Sequence, residues 1–317
     1  MIKTIKKGGL TSVAVSIVVI ALVGLIPLSN LYFYTFENAG FNQPLVKFIV
    51  PVIMVVTQAI WFQRVVHKSR FFDQWSTLPA VVYVAIICLL PDQLHHWDTL
   101  AVNYVWLVFY QKLFYDNDEV TSNSQIFMDI GILMCVSAFI YPKSIYLLPF
   151  LYILLNQFTA SNLNKFFIVL LSFVLVVFST IGIGYFFVSP EWVVGLPERL
   201  IMSLDISTLF NSGKLYTYIT LFATLLIVSP VMYNQLSFMQ TKNRSVVNML
   251  FLQILMVVGI ALLSGQNVFS TMHLVALPLS FTLSFGMYHI KKRWLANLGV
   301  LFALFALVLI QLEYIKL

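Results

Sequence analysis

The sequence predicts an all-α protein, a polytopic transmembrane helical bundle of about eleven spans, with the amino terminus inside and the carboxyl terminus outside. Three observations predict it. Of 317 residues, 60% are hydrophobic and only 9% charged, where a soluble domain carries about 25% charged residues. The apolar residues fall in long runs broken by short polar connections. The Lys and Arg residues gather in alternate connections. Together these exclude a soluble enzyme, a disordered chain or a nucleic-acid-binding domain, and the net charge of +6 is explained by positive loops held on one side of a bilayer.

A spanning helix needs about 20 mostly apolar residues, which places spans near 10–29, 44–63, 76–91, 99–115, 125–141, 144–158, 166–188, 216–235, 246–264, 273–289 and 295–314. The first follows Lys3, Lys6 and Lys7. Its apolar run is longer than the about 7–15 residues of a signal-peptide core and lacks a small-x-small cleavage site, so it reads as a span. The pair 125–141 and 144–158 is short, and Tyr141-Pro142-Lys143 between them permits either a tight hairpin or a broken, re-entrant element. With the amino terminus inside, thirteen Lys and Arg residues fall in inner connections, Lys112, Lys165 and Lys291-Lys292-Arg293 among them. Five fall outside, namely Lys47, Lys143, Arg199, Lys214 and Lys316. Positive residues stay on the cytoplasmic side during insertion, so this count sets the orientation. Trp61, Trp75, Trp97, Trp192 and Trp294 fall at expected span ends, and Trp106 alone is mid-span. Residues 1–317 form a single transmembrane domain.

The polar residues are few. Cys88 and Cys135 lie in apolar runs, and no disulfide framework or CxxC spacing is present. Pro91-Asp92-Gln93-Leu94-His95-His96-Trp97-Asp98 gathers two carboxylates and two imidazoles within seven residues. Asp92, His95, His96 and Asp98 could hold a divalent cation or place a general base at the outer rim. The alternative is a polar turn with Asp98 as the N-cap of the following helix. Asp129 sits inside an apolar run, where a charge costs at least about 2.5–3.5 kcal/mol and normally faces a partner or a wet cavity. It could also lie shallow enough to reach the headgroups. Gln58, Asn103, Asn156 and Gln253 are explained by helix–helix hydrogen bonding. His273, after Ser264-Gly265-Gln266-Asn267, could join an outer polar vestibule. Two outer connections are unusually polar, 30–43 with Glu37, Asn38 and Asn42, and 189–215 with Glu191, Glu198, Arg199, Asp205, Asn211 and Lys214; Leu196–Leu209 could lie flat at the interface.

Two stretches carry a resemblance. Leu89-Leu90-Pro91 with His95-His96-Trp97-Asp98-Thr99-Leu100, and Gly131-Ile132-Leu133 through Tyr141-Pro142-Lys143 and Leu147-Leu148-Pro149, resemble the GT-C glycosyltransferase superfamily over roughly residues 10–215, with additional spans over 216–314. The chain also resembles polytopic inner-membrane proteins of Bacteroidota. The resemblance implies a GT-C-like core and sugar transfer from a polyprenyl-phosphate donor at the outer face. It implies Glu37 and Asp98 in the catalytic positions and Lys143 near the lipid phosphate. Arg199 and Lys214 could face the same phosphate, although no motif carries them over. The first outer loop has one carboxylate, Glu37, where the family has an acidic pair.

Three functions follow as expectations. The first is a non-catalytic structural or assembly subunit of a membrane complex on a GT-C-like scaffold. The second is a polyprenyl-phosphate-dependent glycosyltransferase, with a divalent cation as its only cofactor. The third is a transporter or lipid flippase with Asp129 as its intramembrane acid. The expected partners are membrane lipid, polyprenyl phosphate and a membrane-protein partner, not nucleic acid, and the expected location is a bacterial inner membrane, multi-pass. No resident metal site is expected.

Overall fold

A computed structural model describes residues 44–69, 71–72, 76–89, 97–115, 124–158, 162–187, 230, 233–236, 241–263 and 268–289. These residues are helical almost throughout, and no strand occurs among them. The helices are α1 (Pro44–Lys68), α2 (Leu78–Leu89), α3 (Trp97–Tyr115), α4 (Ser124–Ile140), a 3-10 turn (Pro142–Leu147), α5 (Leu148–Phe158), α6 (Asn162–Phe187), α7 (Thr241–Leu263) and α8 (Val268–His289). The spans expected over 10–29 and 295–314 lie outside the described residues, as does nearly all of 216–235.

Among the described residues, three stretches are long and apolar enough to cross a membrane: Val50–Lys68, Leu163–Gly182 and Asn243–Ile260. Leu78–Ile87 and Gln125–Ile140 are shorter apolar helices. The outer surface of α6 is consistent with lipid contact. Leu163, Phe167, Leu171, Leu175, Phe178 and Phe186 recur at helical spacing and are exposed, Phe178 at 70% and Phe186 at 81%. In water such a stripe would demand a partner. The opposite extreme is α8, where every residue from His273 to Met287 is buried. It packs against α2, α3 and α7, and its hydroxyls turn back onto their own helix. Thr282 Oγ1 donates to the Leu279 carbonyl at 2.9 Å, and Ser280 and Ser284 donate to the carbonyls of Ala276 and Ser280. A polar group inside an apolar bundle is tolerated when it is hydrogen-bonded in this way.

Side-chain pairings fix the helix directions. Gln58 meets the Leu100 carbonyl, and Phe71 just past α1 meets Phe114 near the end of α3, so positions advance together and α1 runs parallel to α3. Lys165 lies over the Phe127 ring, and Gly131 abuts Val169 and Ser172, so α4 runs parallel to α6. Between them α5 must return, and Tyr152, midway along it, touches Phe166 near the start of α6, with ring centroids 5.2 Å apart. Yet α4 and α5 share no packed face; α4 packs on α6 and α3, and α5 on α6 and α7. The Tyr141–Lys143 junction is therefore not a tight hairpin. Pro142 opens a 3-10 turn that splays the two arms apart, and each arm finds its own neighbours.

Trp61 is not at a helix end. Because α1 continues to Lys68, the indole lies almost two turns inside and donates to Gln111 Oε1 at 2.9 Å. The helix outruns the apolar ruler because the exposed Arg64 and Lys68 have stems long enough to carry their polar heads to an interface.

Candidate functional site

The alternation sorts the titratable side chains to two ends. Lys68, Lys112, Asp129, Lys165 and Arg244 lie toward one end, where α1 and α3 finish and α4, α6 and α7 begin. Toward the other lie Asp98 in the first turn of α3, the Tyr141–Leu147 turn and His273. A girdle of aromatic rings closes the first end. Phe72 meets Phe285 and Tyr288 edge-on, and Phe71 meets Phe114 and Phe281.

At that end Lys112 Nζ donates to Asp129 Oδ2 at 2.6 Å, joining the last turn of α3 to the first turns of α4. Both side chains are part-exposed, at 34% and 41%. The pairing gives Asp129 a neutralising neighbour near a helix end. Since exposed pairs contribute about 0–1 kcal/mol, Asp129→Asn is expected to lower stability by no more than about 1 kcal/mol, read from thermal unfolding in detergent. A loss several times larger would mean that the carboxylate does more than pair.

The interior polar residues engage one another. Tyr83 OH donates to Gln58 Oε1 at 2.7 Å and accepts from Asn103 Nδ2 at 3.2 Å, while Gln58 Nε2 donates to the Leu100 carbonyl at 2.6 Å. This ties α1, α2 and α3 together. Tyr110 OH donates to Gln253 Oε1 at 2.5 Å, tying α3 to α7. Tyr104 OH donates to the Met54 carbonyl at 3.1 Å and contacts Thr57.

The break between α4 and α5 is different. Tyr141 caps the end of α4, its N–H reaching the Ser137 carbonyl at 2.8 Å, and its own carbonyl accepts from the Ser144 N–H at 2.9 Å. This backbone wrap turns Lys143 and Ser144 inward: Lys143 is 8% exposed and Ser144 fully buried. Ser144 Oγ has no hydrogen-bond partner, nor has Ser137 Oγ near the end of α4. The Tyr141 ring meets the buried His273 ring edge-on, centroids 4.8 Å apart, so α8 forms part of the wall. The turn also touches α7. Burial pushes the Lys143 ammonium below its usual lysine value, because desolvation penalises the charged form.

This shift has a definite sign for stability. Between the lowered native value and the ordinary unfolded value, the unfolded chain holds a proton that the native protein does not, so stability rises with pH. The penalty of burying charge applies below the native value and is gone above the unfolded one. Measured in detergent, the melting temperature of the natural protein is expected to gain on that of Lys143→Met as pH rises toward the ordinary lysine value. Parallel curves would contradict the desolvation of the Lys143 ammonium.

Of the candidate site residues singled out in the sequence, the structure describes the side chains of Lys143, Asp129 and His273, beside the interior Gln58, Asn103 and Gln253 described above. Asp98 is placed by its backbone only, inside the first turn of α3 rather than before it. Glu37, Asp92, His95, His96, Arg199 and Lys214 lie outside the described residues. Lys143 and Asp129 stand at opposite ends of α4 and share no site. Ser144 and Tyr141 were missed by sequence reasoning; the signal was their adjacency to Pro142 in a segment otherwise apolar. Among the described residues, no group of three or more His, Cys, Asp or Glu is placed to hold a metal ion.

Over residues 6–317 the chain matches the family described as "Family of unknown function (DUF6427)", and it belongs to that family. No curated protein matches it, and no solved structure does.

Proposed function

We propose that this member of the DUF6427 family is a multi-pass protein of a bacterial inner membrane. It serves as a non-catalytic structural or assembly subunit of a membrane complex, built on a GT-C-like scaffold with the Lys112–Asp129 end facing the cytoplasm. The observation that supports this reading is the use made of interior polar groups. Gln58, Tyr83, Asn103, Tyr110 and Gln253 bind one another or the backbone, which is the chemistry of holding helices together. The cation distribution agrees with the proposed sidedness, since Lys112, Lys165 and Arg244 share an end.

The test is purification of the full chain in a mild detergent. A membrane-protein partner in fixed stoichiometry is the expected result, and a lone monomer under conditions that preserve other complexes would contradict it.

One observation favours a second reading, a glycosyltransferase using a polyprenyl-phosphate donor: Lys143 is buried at the break, where the resemblance asks for a basic residue. In that reading Glu37 and Asp98 supply the carboxylates, with a divalent cation, and Arg199 and Lys214 flank the lipid. Undiminished glycan synthesis with both Glu37→Gln and Asp98→Asn would eliminate it. The transport reading gains nothing from Asp129, whose carboxylate is engaged by Lys112.

A further inference from the structure

We propose that the outer face of α6 is a homodimer interface: it seats α6 of a second copy of this chain, side by side and parallel, along Phe167, Leu171, Val174, Phe178, Ile181 and Tyr185. The inference takes from the reading above only that α6 crosses the membrane, and it is independent of the subunit role.

Lipid can cover any apolar face, but three features of this one fit a helix better. First, only 17% of Leu163–Gly182 is buried inside the protein, against 44% for Val50–Lys68 and for Asn243–Ile260. Second, the six residues step by four and three in strict alternation, the 3.5-residue repeat that keeps one helix facing another. Fluid lipid imposes no such period. The seam lies on the side of α6 away from Val169 and Ser172, which close on Gly131 of α4, and Phe167, Leu171 and Phe178 along it are exposed. Third, Gly182 sits beside the seam, and a Cβ there would meet nothing within 4 Å. Glycine weakens a helix relative to alanine, and contact with lipid gives nothing in return. Small residues are kept where helices close on one another, as Gly131 is in this chain.

The occupant follows from charge, area and symmetry. The seam carries no charged side chain, and nearby Lys165 turns its ammonium over the Phe127 ring of α4, 5.1 Å from the centroid. Two copies therefore bring no like charges together. The exposed fractions along α6, applied to side chains of about 150–250 Å², leave on the order of 1,000 Å² of apolar surface. A stable interface takes about 800 Å² from each partner. Copies inserted in the same sense are related by a two-fold axis along the membrane normal, so the two α6 helices run parallel and each seam residue meets its own twin.

Single cysteines in a background lacking Cys88 and Cys135, oxidised in native membranes, test the proposal. Leu171→Cys and Phe178→Cys are expected to give disulfide-linked dimers, since facing positions of such a pair fall within disulfide reach. Ser179→Cys, exposed but off the seam, is expected to cross-link about 10-fold more slowly. In mild detergent, Gly182→Leu is expected to weaken self-association about 10-fold. It should leave the melting temperature of the dilute monomer unchanged, because a Cβ at this position meets no other helix of its own chain. Should Gly182→Leu fail to fold, the cysteine pattern decides. Equal cross-linking at all three positions, or none on the seam, overturns the proposal. So does a seam cysteine that captures a different membrane protein in place of its twin, which assigns the face to that partner. A dimer that purifies with no other protein sinks only the subunit reading, and a stoichiometric partner without seam cross-links sinks only the dimer.

Discussion

Replacing Gly131 with leucine is expected to unfold the α4–α6 pair or force it apart. Even a single methyl group at this position would sit 2.4 Å from the Val169 carbonyl oxygen and 1.8 Å from Ser172 Oγ, so no rotamer of a larger side chain escapes. Ser172 is itself fixed, its hydroxyl donating to the Val169 carbonyl at 2.8 Å. Small residues let helix backbones approach closely where lipid gives no hydrophobic drive for association. Overpacking in a dense interior costs about 1–3 kcal/mol and sometimes more, and leucine here should reach or exceed the top of that range. Gly131→Ala should fall lower, and adding Ser172→Ala should recover only part of its loss, because the Val169 carbonyl is backbone and stays. Thermal unfolding of the three variants in detergent reads the order directly. A Gly131→Leu protein as stable as the natural one would mean that α4 and α6 do not cross this closely.

Tyr83→Phe is expected to have the next largest effect. The tyrosine hydroxyl is both donor to Gln58 Oε1 and acceptor from Asn103 Nδ2, and all three side chains are buried. Removing it leaves two polar atoms without their partner, each at about 1–3 kcal/mol. The ring of Tyr83, 5.9 Å from Phe62, is kept by phenylalanine, so the loss reports hydrogen bonding and not packing. The double replacement Tyr83→Phe with Gln58→Leu should recover part of the loss, since an apolar pair leaves fewer orphaned groups than a broken polar one. Equal stability of Tyr83→Phe and the natural protein would show that water or a rotated amide satisfies Gln58 and Asn103.

Helix positions were legible in the sequence to within a few residues wherever an apolar run ended in a polar connection. The expected 246–264 and 99–115 correspond to Thr241–Leu263 and Trp97–Tyr115. Hydropathy misplaces ends where long cations belong to the helix, and so α1 runs past Trp61 to Lys68. It is also blind to lateral neighbours. Nothing in the composition distinguishes α8, buried on all sides, from α6, exposed along a whole face, because both are rich in Leu and Phe. The pairing of Lys112 with Asp129 was hidden because it depends on which helix ends meet. Lys143 was visible as a lone cation beside Pro142, but its burial arises from the 3-10 turn and the neighbouring helices, and a run of six residues such as Pro142–Leu147 carries no period from which to infer that. Ser144 was hidden for the same reason: a serine beside a proline usually faces water in a turn, and only the wrap of the Tyr141 carbonyl onto the Ser144 N–H turns it inward.

The account stands on α4 carrying the chain from the Lys112–Asp129 end to the opposite face, with Lys143 delivered there. Single cysteines placed by Gln125→Cys at one end of α4 and by Pro142→Cys at the other, in a background lacking Cys88 and Cys135, test this most directly. In intact spheroplasts an impermeant maleimide is expected to modify the Pro142→Cys protein and to reach the Gln125→Cys protein only after the membrane is opened. Modification of the Gln125→Cys protein from outside, with the Pro142→Cys protein protected until lysis, would contradict it.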